Sequence, residues 1–219
     1  VDDSAPVVVV LEGYQIYSPK PSEPCWLFKS NQITIEHRYF ADSRPENVSV
    51  PWKTLTVENA AYDQHLIIEK IKSAIYSDNK FLSTGISKGG QTTMIHRFFY
   101  PEDVDASLCY VAPLNFERED SRIFTFLDKV GTKDQRATIY EFQILCFERK
   151  NALVEALDSM ASEKEWGWNF STEMALEYYV LEYPFAFWQW GNDFSKIPAE
   201  QEADTTVLKH LLNVAGVSF

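Results

Sequence analysis

The sequence predicts an α/β fold: part of a parallel sheet, then a helical segment. Three observations carry this. Residues 7–11 (VVVVL) form an unbroken β-branched run, which suits a strand covered on both faces. From there to Pro113, strand-like and helix-like stretches alternate, the pattern of a parallel sheet with crossover helices. Beyond Pro113 the strand signals fade and helical periods take over, so the chain divides into a sheet-bearing portion, 1–116, and a helical cap, 117–219.

The elements follow in order. After the first strand, Glu12-Gly13-Tyr14 opens a loop. Residues 15–30 hold three prolines and no clear period, so they read as surface loop with room for a short helix near 25–30. A second strand is expected at 32–37 (QITIEH), then a long loop over 41–55. Thr56 is a good N-cap, and Glu58 in the first turn suits the helix dipole. Apolar residues at Val57, Ala60, Ala61, Ile67, Ile68, Ile71, Ala74 and Ile75 then repeat with a helical period. A strand at 81–86 (FLSTGI), a helix at 91–100 stopped by Pro101, and a strand at 106–112 complete the first portion. In the second portion helix-like periods prevail, 134–162 is a long amphipathic stretch, and 166–190 carries ten aromatic residues.

The run FLSTGISKGGQTT carries the chemistry. Gly85-Ile86-Ser87-Lys88-Gly89 has the G-x-S-x-G spacing of a nucleophile elbow, between a strand and a helix. A serine hydroxyl attacks only when it is held exposed, near a base and facing hydrogen-bond donors. A sharp turn does the holding. Small residues two positions either side let strand and helix approach, and Gly85 and Gly89 meet that need.

Composition narrows the partners. With 20 Lys and Arg against 32 Asp and Glu, the net charge is −12, which argues against nucleic-acid binding. No apolar run reaches the roughly 18–20 residues needed to span a bilayer. Cys25, Cys109 and Cys146 are widely spaced, and no C-x-x-C or H-E-x-x-H suggests a metal. A disulfide between Cys25 and Cys146 is open on sequence grounds. Cys109 reads as a small buried hydrophobe.

Five stretches extend the picture: VVVVLEGY at 7–14, IEHRYFADSRP at 35–45, STGISKGGQTT at 83–93, YPEDVDASLCYVAPLNF at 100–116 and YPFAFWQWG at 183–191. On these the chain resembles the bacterial prolyl tri-/tetrapeptidyl aminopeptidases, serine peptidases of the α/β-hydrolase type, and more distantly the lysosomal Pro-X carboxypeptidases. The resemblance implies a partial α/β-hydrolase sheet followed by a helical cap. It implies an exported enzyme that needs no cofactor and cleaves peptides after proline near the amino end. Ser87 would form the acyl-enzyme, with the backbone N–H of Lys88 as one oxyanion donor and that of Gly13 or Tyr14 as the other. The family's acid motif, Y-G-x-x-D-P-W, and its later G-x-H base are not found here. The chain therefore reads as the central part of a longer protein, its partner being the remainder of its own chain. A carboxylesterase on the same scaffold, or an inactive peptide-binding fragment, are the alternatives.

The chain's own acids and histidines supply weaker candidates. Glu12 and Glu36 could hold a peptide's free amino group, although buried ion pairs that fix loops are the simpler expectation. Trp188 and Trp190 could wall a proline pocket, and ordinary packing is again simpler. His96 is nine residues past Ser87, roughly 13 Å along a helix and out of reach. His37 is expected to hydrogen-bond its loop, and His65 to pack or face solvent. Ser87, Asp193 and His210 fall in the α/β-hydrolase order, but His210 sits in a helical pattern with no strand before it.

Overall fold

The computed structural model describes residues 2–18, 20–45 and 52–216. The chain divides into two compact units, residues 1–116 and 117–219.

The first unit holds a parallel sheet of four strands: β1 (Val7–Leu11), β2 (Asn31–Ile35), β3 (Phe81–Ile86) and β4 (Ala106–Tyr110), ordered β2-β1-β3-β4. The β-branched run accounts for the centre. Val7, Val8, Val9 and Leu11 are buried, and Val7, Val9 and Leu11 share a core with Ile35, Ile68, Tyr76 and Phe81. The chain leaves β1 toward β2 and later leaves β3 toward β4. The connections thus diverge between β1 and β3, where open α/β sheets form a crevice at the strands' carboxyl ends.

Three helices serve this sheet. The short α1 (Glu23–Phe28) follows the proline-rich loop. In α2 (Val57–Ala74), Thr56 is the N-cap, and its hydroxyl accepts from the Asn59 N–H at 3.2 Å. Its inward stripe is narrower than the apolar period suggests, because Val57, Ile67 and Ile75 remain exposed. Helix α3 (Lys88–Phe99) packs on α2 and along β3 and β4.

Several boundaries shift. The second strand stops at Ile35 and the fourth at Tyr110, and α3 starts at Lys88, directly after Ser87. The long loop contains 3-10 turns at Ala41–Ser43 and Trp52–Thr54, and 46–51 lie outside the described residues. Cys25 and Cys146 are both free, so there is no disulfide between them. Cys25 Sγ instead donates to the Ser30 carbonyl. Cys109 is half-buried, where a fully buried residue is expected.

The second unit has five helices among the described residues: α4 (Ser121–Leu127), α5 (Lys133–Glu148), α6 (Lys150–Glu163), α7 (Thr172–Gln189) and α8 (Asp204–Ala215). Phe142, Cys146, Leu153, Leu157, Leu176, Val180, Tyr183, Phe187, Val207 and Leu211 form its core. The long amphipathic stretch 134–162 forms two helices, broken at Arg149. No glycine or proline causes the break. The Arg149 guanidinium donates to the Glu202 carbonyl at 2.7 Å and pairs with Asp204 at 2.9 Å, which anchors the corner to the segment before α8. No helix among the described residues is long and apolar enough to cross a membrane.

Candidate active site

Ser87 stands between β3 and α3 with φ 57° and ψ −121°, a conformation an L-residue adopts only under local constraint. The constraint is visible. The Ser87 N–H donates to the Tyr110 carbonyl at 3.0 Å and so extends the β3–β4 ladder, while its own carbonyl already accepts the first α3 bond from Gln91. One residue therefore ends a strand and caps a helix, and its side chain is exposed.

Glycines allow the turn. A Cβ on Gly85 would lie 2.3 Å from the Gly89 carbonyl group and 2.8 Å from the Leu11 oxygen. A Cβ on Gly89 would also fall 2.8 Å from the Leu11 oxygen, and one on Gly90 2.7 Å from the Tyr110 oxygen. Helix α3 thus starts in backbone contact with three strands. The loop after β1 comes equally close, since a Cβ on Gly13 would be 2.6 Å from Lys88 Cβ and 2.7 Å from its carbonyl carbon.

The crevice between β1 and β3 therefore gathers Ser87, Lys88, Gly13, Tyr14 and Glu12. Among the described residues, no acceptor takes the backbone N–H of Gly13, Tyr14 or Lys88. The Glu12 carboxylate is half-buried, and burial raises its pKa above the usual value. No hydrogen-bond or ion-pair partner meets it among the described residues.

The EHRYF stretch frames this crevice. The two Glu36 oxygens accept from the backbone N–H groups of Ile16 (3.1 Å) and Ser43 (2.9 Å), bonds that hold its pKa below the usual glutamate value. Glu36 is thus occupied with loop fixation and is withdrawn as an amine-binding group. The His37 N–H donates to the Tyr14 carbonyl at 2.9 Å, and its Nδ1 lies 3.1 Å from the Arg38 carbonyl oxygen. Arg38 pairs with Asp63 at 2.7 Å and donates to the carbonyls of Thr54 and Asn59, tying the stretch to the start of α2. Phe40 meets Tyr14 edge-on, with ring centroids 5.4 Å apart. Nothing in the residue pattern singled out Phe40, whose position depends on the loop's path.

The remaining histidines have other partners. His96 Nε2 and His65 Nδ1 both lie 2.9 Å from the buried Asp103 carboxylate, and His65 stacks on Tyr100. His65, partly exposed and stacked on Tyr100, also pairs with the buried Asp103, a partner that packing or surface exposure alone did not imply. His210 Nε2 meets the Tyr183 hydroxyl at 2.8 Å, with Phe142 packed edge-on against the ring. Asp193 caps a 3-10 turn by accepting from Ser195. Asp193 and His210 do not pair, so the second unit lacks the acid–base couple that the chain order suggested. Trp188 packs on Phe187 and Phe194 and covers Gly131, whereas Trp190 is exposed.

The family model described as PS-10 peptidase S37 matches residues 1–218. The prolyl tri/tetrapeptidyl aminopeptidase of Streptomyces mobaraensis is 33% identical over 223 aligned residues, which cover 98% of this chain and 46% of that protein. The chain spans about half the length of the curated relative it matches.

Proposed function

Since this chain belongs to the PS-10 peptidase S37 family, we propose that it supplies the nucleophile portion of a serine peptidase that releases short peptides from the amino end of its substrates by cleavage after proline. The observation that carries this is Ser87, exposed at a positive φ on the turn between β3 and α3, with N–H groups at the start of α3 and on the loop after β1 that no acceptor takes among the described residues. Ser87 Oγ attacks the prolyl carbonyl carbon, and a base takes its proton. The carbonyl oxygen gains negative charge and is received by the Lys88 N–H and by the N–H of Gly13 or Tyr14. Each such donor contributes about 2.7–4 kcal/mol to the transition state. The amine leaves with a proton, and water then hydrolyses the acyl-enzyme. Glu12 receives the substrate's ammonium group.

The base and acid are assigned to the rest of the protein: His65 and His96 share Asp103, His210 meets Tyr183, and His37 has no carboxylate partner among the described residues. In the 117–219 unit Trp190 is exposed, an apolar face of the kind a proline ring packs on. Proline preference follows the named relative.

A fluorophosphonate probe and a chromogenic tripeptide ending in proline test the reading on the full-length protein. Labelling at Ser87 together with turnover of the free-amine peptide is expected, with weak labelling of the 219-residue chain alone. Turnover of short acyl esters without any prolyl peptide would make the protein an esterase. Strong labelling of the isolated chain would place a base within it.

A further inference from the structure

The Lys88 side chain crosses the crevice in a way the attack itself does not require. Its Cβ and Cγ run against Gly13, where an added methyl group would stand 2.6 to 2.7 Å from them. Its ammonium sits 4.4 Å from the centroid of the Tyr14 ring and 5.0 Å from that of Phe40. Burial lowers its pKa below the usual lysine value, and no neighbouring carboxylate offsets this among the described residues. The partly buried ammonium is thus held by two rings rather than by an ion pair.

The walls of this cage are themselves held. Phe40 lies between Tyr39 (φ 68°) and Ala41 (φ 33°), both at positive φ without being glycine. The Glu36 bonds to Ile16 and Ser43 span the same turn. His37 donates its N–H to the Tyr14 carbonyl and packs edge-on against Phe40 at 5.8 Å. The loop after β1 is therefore gripped from two sides, by the Lys88 chain along Gly13 and by the EHRYF turn at Tyr14.

We propose that Lys88 is a positioning residue, whose side chain locks the Gly13–Tyr14 loop so that its N–H meets the developing oxyanion beside the Lys88 N–H. This rests on the serine-peptidase reading above. It gives the residue after the nucleophile two tasks, a backbone donor and a side-chain clamp on the second donor. Gly13 is what lets residue 88 come this close, since a Cβ there would meet the Lys88 backbone and the base of its side chain.

The test uses the full-length protein and a prolyl tripeptide substrate, with a peptidyl boronic acid as mimic of the tetrahedral intermediate. Lys88→Met keeps the stem and removes the charge. It is expected to lower kcat roughly 10- to 100-fold at near-constant KM, the size expected when one catalytic donor is displaced by a fraction of an ångström to one ångström. Boronate affinity should fall by a similar factor, with an unchanged thermal midpoint. Lys88→Arg, which can still stack on the rings, should recover most of the loss. Tyr14→Leu should show the same kcat-type loss, and the double variant should lose little more than the worse single variant. If Lys88→Met does not fold, Phe40→Leu removes one wall and must itself show the kcat loss. An active wild type with Lys88→Met within twofold in kcat/KM, a loss confined to KM, or fully additive losses would overturn the clamp alone. A wild type that neither cleaves the peptide nor takes a fluorophosphonate label overturns the serine-peptidase reading and the clamp with it.

Discussion

The Gln143 side-chain amide donates to the Val180 carbonyl at 2.8 Å. Pro184 lies inside α7 four residues after Val180 and has no N–H to give. A side chain from α5 thus takes the place of the missing helical donor beside the core.

Gln143→Leu leaves that carbonyl unsatisfied and should cost about 1–3 kcal/mol in urea unfolding. Adding Pro184→Ala restores the backbone donor and should recover the loss. If the double variant is as unstable as the single, the carbonyl is not what Gln143 serves.

Ser87 holds a strained backbone at the turn between β3 and α3. Ser87→Gly relieves a cost of order 1–3 kcal/mol, less the roughly 0.5–1 kcal/mol of extra chain freedom that glycine brings. We expect a slightly higher thermal midpoint together with loss of hydrolysis. A lower midpoint would show that the hydroxyl makes a stabilising contact.

The glycines separate by space. Gly85→Ala pushes a methyl group into backbone on both sides and should prevent soluble folding or cost more than about 3 kcal/mol. Gly167→Ala meets nothing within 4 Å and should change stability by no more than about 0.5 kcal/mol. Comparable losses at both positions would contradict the close packing described at the turn.

Burial holds His37, His96 and His210 below the ordinary value of 6.5, with the Asp103 bond opposing it at His96. The unfolded chain then binds more protons than the folded one just below that pH. The stability these groups contribute is complete above 6.5 and is lost as pH falls beneath it. Glu12 and Glu182, raised above 4.5 by burial, act in the opposite sense as pH rises past that value. The histidine share is therefore read as a difference: melting curves from pH 5 to 7.5 should rise more steeply for wild type than for His96→Gln. Parallel curves would remove His96 as a contributor.

Glu12 and Glu36 should part company by assay. Glu12→Gln is expected to raise KM for free-amine peptides about tenfold, equal to 1.4 kcal/mol, with kcat near wild type. Glu36→Gln should instead lower the unfolding midpoint, because two loop N–H groups lose a charged acceptor. An unchanged KM in Glu12→Gln would remove Glu12 from the binding site.

What was legible in the sequence is what neighbouring residues decide among themselves. The VVVVL run, the Thr56 cap and the order strand, Ser87, helix are local matters of side-chain shape, backbone preference and spacing. Each gave the right element within a few residues. The break at Arg149 within the amphipathic stretch 134–162 was not legible, because it answers to carbonyls more than fifty residues later. The same holds at the crevice. That Gly13 touches Lys88, that Glu36 is occupied while Glu12 is open, and that Phe40 walls an ammonium all depend on β1 lying next to β3. Strand order is a long-range choice, made by burying the β1 valines between two partners, and no local pattern encodes which loops then meet.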